Sequence, residues 1–161
     1  MKDQAYELRN RMQMYEGVQQ SVRVATVGAS EQDTRVFEQL LEGEIETRRP
    51  HVQISFSQAL PHHASVLFLI SRTDPSDITT LYEWLKKHRS ELPAACFVIV
   101  NSESDESKST RAIQNLVNTS AAFLQLSITY IGLLSDKESL LNQCITILIQ
   151  HKEDRDERPH R

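Results

Sequence analysis

Apolar residues recur along this chain in two rhythms, one suited to helices and one to strands. From Asp3 to about Gln19, Ala5, Leu8, Met12 and Tyr15 fall at spacings of three, four and three, which draws one narrow stripe along a helix. Gln4, Glu7, Arg9, Arg11 and Gln13 lie off the stripe, and Gly17 interrupts the run. A seam this narrow suits either its own domain or a partner's groove. Val22, Val24, Ala25 and Val27 then read as a short strand ended by Gly28. Ser30 is placed to cap the next helix, with Glu31 and Asp33 in its first turn and Val36, Phe37, Leu40, Leu41 and Ile45 as its buried face. Val52, Ile54 and Phe56 alternate with polar residues, as in a half-exposed strand.

The second half is more apolar in its strands. Val66 to Ile70 and Ala95 to Val100 are continuous apolar runs, the mark of strands covered on both faces. Between them Asp74 and Pro75 start a helix with Ile78, Leu81, Tyr82 and Leu85 inside. After Asn101 and a loop rich in serine and acid, a helix carries Ala112, Ile113, Leu116, Val117, Phe123 and Leu124. Ile128, Tyr130 and Ile131 form a last strand stopped by Gly132. Ser135 to Glu138 reads as a capping box that opens a final helix with Leu140, Leu141, Cys144, Ile145, Leu148 and Ile149. From His151 the chain is charged and polar, a composition that predicts disorder. Strands alternating with helices predict an α/β fold: a mostly parallel sheet of about five strands, helices on both faces, preceded by the N-terminal helix. The expected division is a helix over 1–19, an α/β domain over 20–150 and a tail over 151–161.

Composition narrows the partners. With 161 residues, 39% hydrophobic and 25% charged, the chain has the size and balance of one globular domain. Its net charge of −4 argues against broad nucleic-acid binding, which needs a basic surface. No apolar run is long enough to span a bilayer, and the polar start Met1-Lys2-Asp3-Gln4 is not a secretory signal. Cys96 and Cys144 each lie in an apolar run and read as buried thiols in a reducing compartment. The expected location is cytoplasmic.

Sheets of this class bind ligands at the carboxyl ends of their strands, and the first strand-to-helix turn is the usual phosphate cradle. Here that turn reads Gly28-Ala29-Ser30-Glu31-Gln32-Asp33, with one glycine and no lysine. A P-loop needs several glycines to let backbone N–H groups wrap the phosphates, and a lysine to reach their outer oxygens. The carboxylates of Glu31 and Asp33 also stand where the helix dipole would favour an anion. His62 and His63 are neighbours that point opposite ways on an extended segment, so they make poor joint metal ligands. Asp105 and Glu106 read as helix-start acids, and Lys86 to Arg89 as cations at a helix end. No cofactor, metal or catalytic group in cis is expected.

Several segments together resemble one family. Asp3-Gln4-Ala5-Tyr6-Glu7-Leu8-Arg9 resembles the DQAxxLR motif at the start of FlhG-type proteins, MinD-like ATPases that control flagellar number and placement. From His62 to Gln150, Ala64-Ser65-Val66 with Ser76-Asp77-Ile78-Thr79, Phe97 to Asn101, and Ala122-Phe123-Leu124 with Ile128 to Gly132 resemble the family's strands and helix starts in order. The lysine-rich P-loop and the switch segments of that family have no counterpart here, and Lys152 to Arg161 has no apolar face to insert in a membrane. The chain is thus similar to a FlhG without its ATPase centre, a pseudo-ATPase. The resemblance implies that the N-terminal helix binds the SRP-type GTPase FlhF and stimulates its GTP hydrolysis. On that reading Gln4 contributes to the GTPase site, Ala5, Leu8 and Arg9 seat the helix, and Asp3 and Met12 belong to the same contact. It also implies recruitment to the membrane or the flagellar base by the partner rather than direct insertion. A different use of the same fold is a scaffold whose α/β surface binds another flagellar basal-body component.

Overall fold

The computed structural model describes residues 20–28, 30–57, 64–101, 106–151 and 153–154. The N-terminal helix expected over 1–19, with Asp3, Gln4, Ala5, Leu8, Arg9 and Met12, lies outside the described residues, as does the tail from Arg155 on. The elements run β1 (Gln20–Gly28), α1 (Glu31–Arg48), β2 (Val52–Ser57), β3 (Val66–Ser71), α2 (Pro75–His88), a 3-10 turn (Arg89–Glu91), β4 (Ala95–Val100), α3 (Glu106–Thr119), a π-helical turn (Ser120–Leu124), β5 (Ile128–Leu133), α4 (Lys137–His151) and β6 (Glu153–Asp154). β1 to β5 pair in parallel in the order β2-β1-β3-β4-β5. The sheet is all parallel across these five strands, with helices on both faces.

The two faces carry separate cores. On one, Val22, Val24, Phe68 and Ile70 pack against Phe37, Leu41 and Ile45 of α1 and against Leu140, Cys144 and Leu148 of α4. Phe68 stands edge-on to Phe37 at 5.2 Å and tilted to Phe97 at 5.9 Å. On the other, Leu67, Leu69, Cys96, Val98 and Val100 meet Leu81 and Leu85 of α2 and Ile113 and Leu116 of α3. The strand order explains the faces. The chain steps outward from β1 to β2 and in the opposite direction from β3 to β4, and right-handed crossovers then put α1 and α2 on opposite sides. All six residues of β3 are buried, as its continuous apolar run requires.

Eight residues, 58–65, separate β2 from β3. On the sheet face that carries α2, Ala25 and Val27 join the second core, while Arg23, Gln53 and Ser55 are exposed. This is the physical reason for the apolar-polar alternation of β2: one face lies on α1 and the other on solvent.

Five local expectations are corrected. Val36 is 40% exposed and Phe37 carries the buried face of α1 at that point. Phe123 is 75% exposed: the buried stripe of this helix runs Ile113, Leu116, Ser120 and Leu124, and Phe123, in the π-turn, lies off it. Gly132 does not stop β5; it sits inside the strand with φ +146 at an irregularity where the pairing shifts between Val98 and Ile99. α4 starts one residue later than a Ser135 cap would set it, since the Leu140 N–H bonds the Asp136 carbonyl at 3.0 Å. The tail is not wholly unstructured from His151: α4 includes His151, and Glu153–Asp154 pair antiparallel with Ser21 and Gln20. That pairing fills the stretch of β1 that extends below the first β3 partner, Val24.

Gly132 is tied to its backbone conformation rather than to space, since an added Cβ would meet Leu140 only at an ordinary 3.7 Å. Gly132→Ala is expected to lower stability by about 1–3 kcal/mol, the cost of a non-glycine residue at that φ. Urea unfolding of the two proteins measures it, and an unchanged midpoint would show that the bulge relaxes.

Candidate functional site

The crevice of a parallel sheet opens where neighbouring strands send their connections in opposite directions. Here that point lies between the carboxyl ends of β1 and β3. Three side chains from three elements converge on it. Asp33 comes from the first turn of α1, Arg72 directly follows β3, and Asn101 directly follows β4. Arg72 Nε donates to Asp33 Oδ2 at 3.0 Å and Arg72 Nη2 to Oδ1 at 3.2 Å. Asn101 Nδ2 donates to the same Oδ1 at 3.0 Å. The Asn101 N–H is itself fixed on the Ser71 carbonyl at 2.8 Å, which locks the two strand ends together.

Local sequence sets this geometry. Ser30, extended at φ −123, takes the N-cap, and its hydroxyl accepts from the Asp33 N–H. This places Asp33 in the first turn, where the helix dipole favours its carboxylate. Thr34 donates its hydroxyl to the Glu31 carbonyl at 2.8 Å. Gly28 serves close packing. A Cβ there would lie 2.9 Å from Thr34 Cγ2 and 3.1 Å from the Ile70 carbonyl oxygen, so a side chain would push β1, α1 and β3 apart. One turn further along α1, Thr26 of β1 donates its hydroxyl to the Glu38 carboxylate.

The Asp33 side chain is 8% exposed and that of Arg72 51%. The Arg72 hydrogen bonds hold the Asp33 carboxyl below its ordinary value of 3.8; burial opposes this, and the Asn101 amide reinforces it. Asp33 in turn raises the Arg72 pKa. The arrangement is a carboxylate held by a two-pronged guanidinium and an amide. It puts the protein's own anion at the strand-end crevice, where parallel sheets of this class bind ligands.

The sequence-derived candidates scatter otherwise. Glu31 points away to Arg35, an exposed pair at 3.8 Å. His88 stacks on Trp84 at 4.6 Å between ring centres and meets Glu91 at 3.0 Å. His62, His63, Asp105 and the N-terminal positions Asp3 to Met12 lie outside the described residues. Among the described residues no three of His, Cys, Asp and Glu are grouped to hold a metal. Both cysteines are buried and free, on opposite faces of the sheet. Burial pushes the Cys96 thiol up to about 11 and the Cys144 thiol up to about 12, which keeps both protonated and unreactive. No helix among the described residues is long and apolar enough to cross a membrane.

Sequence reasoning identified Asp33 as a carboxylate at the cradle and missed Arg72 as its partner. The signal available was that Arg72 and Asn101 each directly follow a buried strand, which places both at one edge of the sheet. No protein-family model matches this chain, and no curated protein matches it.

The lowered pKa has a consequence for acid stability. The contribution of Asp33 is fully present above its unfolded value near 3.8 and is lost as pH falls through the lower folded value. Asp33→Asn is expected to lower the urea midpoint at neutral pH and to flatten its decline below about pH 4. Parallel pH profiles for the two proteins would mean that the bridge contributes nothing in solution.

Proposed function

We propose that this protein is a non-enzymatic, FlhG-like regulator that binds an SRP-type GTPase, FlhF, through its N-terminal helix and stimulates GTP hydrolysis. The observation that carries the reading is the DQAxxLR-like stretch Asp3 to Arg9 placed ahead of an α/β body whose phosphate position is filled by Asp33. The carboxylate of Asp33 at the switch point, and a turn from Gly28 to Asp33 without a lysine, support a body that does not run an ATP cycle. The activity then resides in what the chain presents to a partner.

The chemistry assigned to each residue follows from its type. The Gln4 amide is neutral, so it can orient a water or bond a phosphate oxygen without adding a negative charge to the GTPase centre. Ala5, Leu8 and Met12 lie on one stripe and supply the apolar seat, while Asp3 and Arg9 flank it with charge. Among the described residues the sheet face at Arg23, Gln53 and Ser55 is polar. This supports a stripe that seats on a partner. Location in the cytoplasm, with recruitment to the flagellar base by the GTPase, is part of the same proposal.

The test is the GTP hydrolysis rate of the SRP-type GTPase with and without the full chain. Stimulation is expected, with Gln4→Ala lowering the stimulated rate about tenfold or more while binding persists. Leu8→Asp is expected to abolish binding itself. Stimulation that survives Gln4→Ala unchanged would reject the role of the amide, and absence of any binding would reject the reading.

A further inference from the structure

Three features meet at the amino-terminal edge of the sheet, opposite the Asp33 crevice. The last turn of α2 exposes Lys86 and Lys87, and Arg89 follows them. The π-turn Ser120–Leu124 ends at Gln125, which adopts the left-handed conformation at φ 57. Arg89 joins the two: Nε donates to the Leu124 carbonyl at 2.6 Å and Nη2 to Gln125 Oε1 at 3.2 Å. Between them lies an open groove of about 500 Å³, with Lys86, Lys87 and Arg89 on one wall and Leu124, Gln125 and Leu126 on the other. Among the described residues no carboxylate lines it.

Helix-end electrostatics account for the cations alone. They do not account for Phe123, the residue before Leu124, which is 75% exposed and is the most exposed large apolar side chain among the described residues. Leu124, eleven positions past Ile113 and four past Ser120, holds the buried face, and Phe123 stands outside it. The π-turn over Ser120–Leu124 contains this exposed residue. Such turns interrupt regular helical bonding and concentrate at functional sites.

We infer that this groove docks an acidic segment of a partner protein, with carboxylates for Lys86 and Lys87 and an apolar side chain for Phe123. Charge complementarity selects the class: three cations and no anion line a groove on a chain of net charge −4. Acidic stretches of the chain itself do not fit. Glu106, which opens α3 after β4, belongs to the opposite, carboxyl-terminal edge. Residues 152–161 carry four acids and four bases, and offer no net charge. A single exposed aromatic inserts little apolar area into a lipid surface. The inference does not depend on the N-terminal helix and stands or falls separately from the GTPase reading.

Fluorescence anisotropy at low salt tests it, using the full chain and a labelled peptide of glutamate and leucine, with a glutamine and leucine peptide as control. The glutamate peptide is expected to bind and the control not. Lys86→Glu combined with Lys87→Glu is expected to weaken binding about tenfold or more, and Phe123→Ser about threefold, with unchanged melting temperatures because all three side chains are exposed. Added salt is expected to weaken the wild type and leave the Lys86→Glu, Lys87→Glu protein little changed. Equal affinity for wild type and variants, or no binding of the glutamate peptide, would overturn the proposal. So would binding to phosphatidylserine vesicles, lost in the charge-reversed protein, without peptide binding. Sedimentation showing that the wild type self-associates through these residues would assign the groove to a second copy instead.

Discussion

The strand Val66–Ser71 must be kept from water on both faces, and the rest of the structure is arranged around that need. Its six residues are all buried, with Phe68 and Ile70 facing α1 and α4, and Leu67 and Leu69 facing α2 and α3. A strand apolar on both sides cannot lie at an edge or under a single layer. It takes the centre of the sheet, with β1 and β4 as neighbours. The helices then have to divide between the two faces, and right-handed connection decides which goes where. Truncation of a buried aromatic such as Phe68 removes about 3–5 kcal/mol, a large fraction of the stability of a domain this size.

The same central position makes β3 the pivot of the carboxyl-terminal edge. Its last residue hands the chain to Arg72, and its neighbours hand it to Asp33 and Asn101. A charge pair ties that edge together across the switch point. Gly28 gives close approach between β1, α1 and β3, and the capped helix start aims a carboxylate into the space. The opposite edge carries cations and an outward aromatic, held in place by Arg89.

The amino-terminal edge also brings the first and last described strands together: Gln20 begins β1 there, and Glu153–Asp154 pair beside it. The groove at Lys86 and Lys87 opens at the same edge.

The sequence by itself determined the element order, the fold class and the absence of a glycine- and lysine-rich cradle, because those depend on period, run length and residue type within short windows. The continuous runs at Val66 and Ala95 marked strands covered on both faces, and the alternation at Val52 a half-exposed one. What only the tertiary structure decided depends on which strands are neighbours. The partnership of Asp33 with Arg72 and Asn101 joins residues 39 and 68 positions apart and exists only once β1, β3 and β4 are adjacent. The α3 end was equally hidden: Phe123 and Leu124 are neighbours on an apolar stretch, and only packing shows that Leu124 enters the core while Phe123 stays outside. Gly132 looked like a stop because glycine weakens a strand, yet here it relieves a shift in pairing against β4. Local pattern fixes what each segment can be; contact between segments distant in the chain fixes which charge finds a partner and which side chain is left for one.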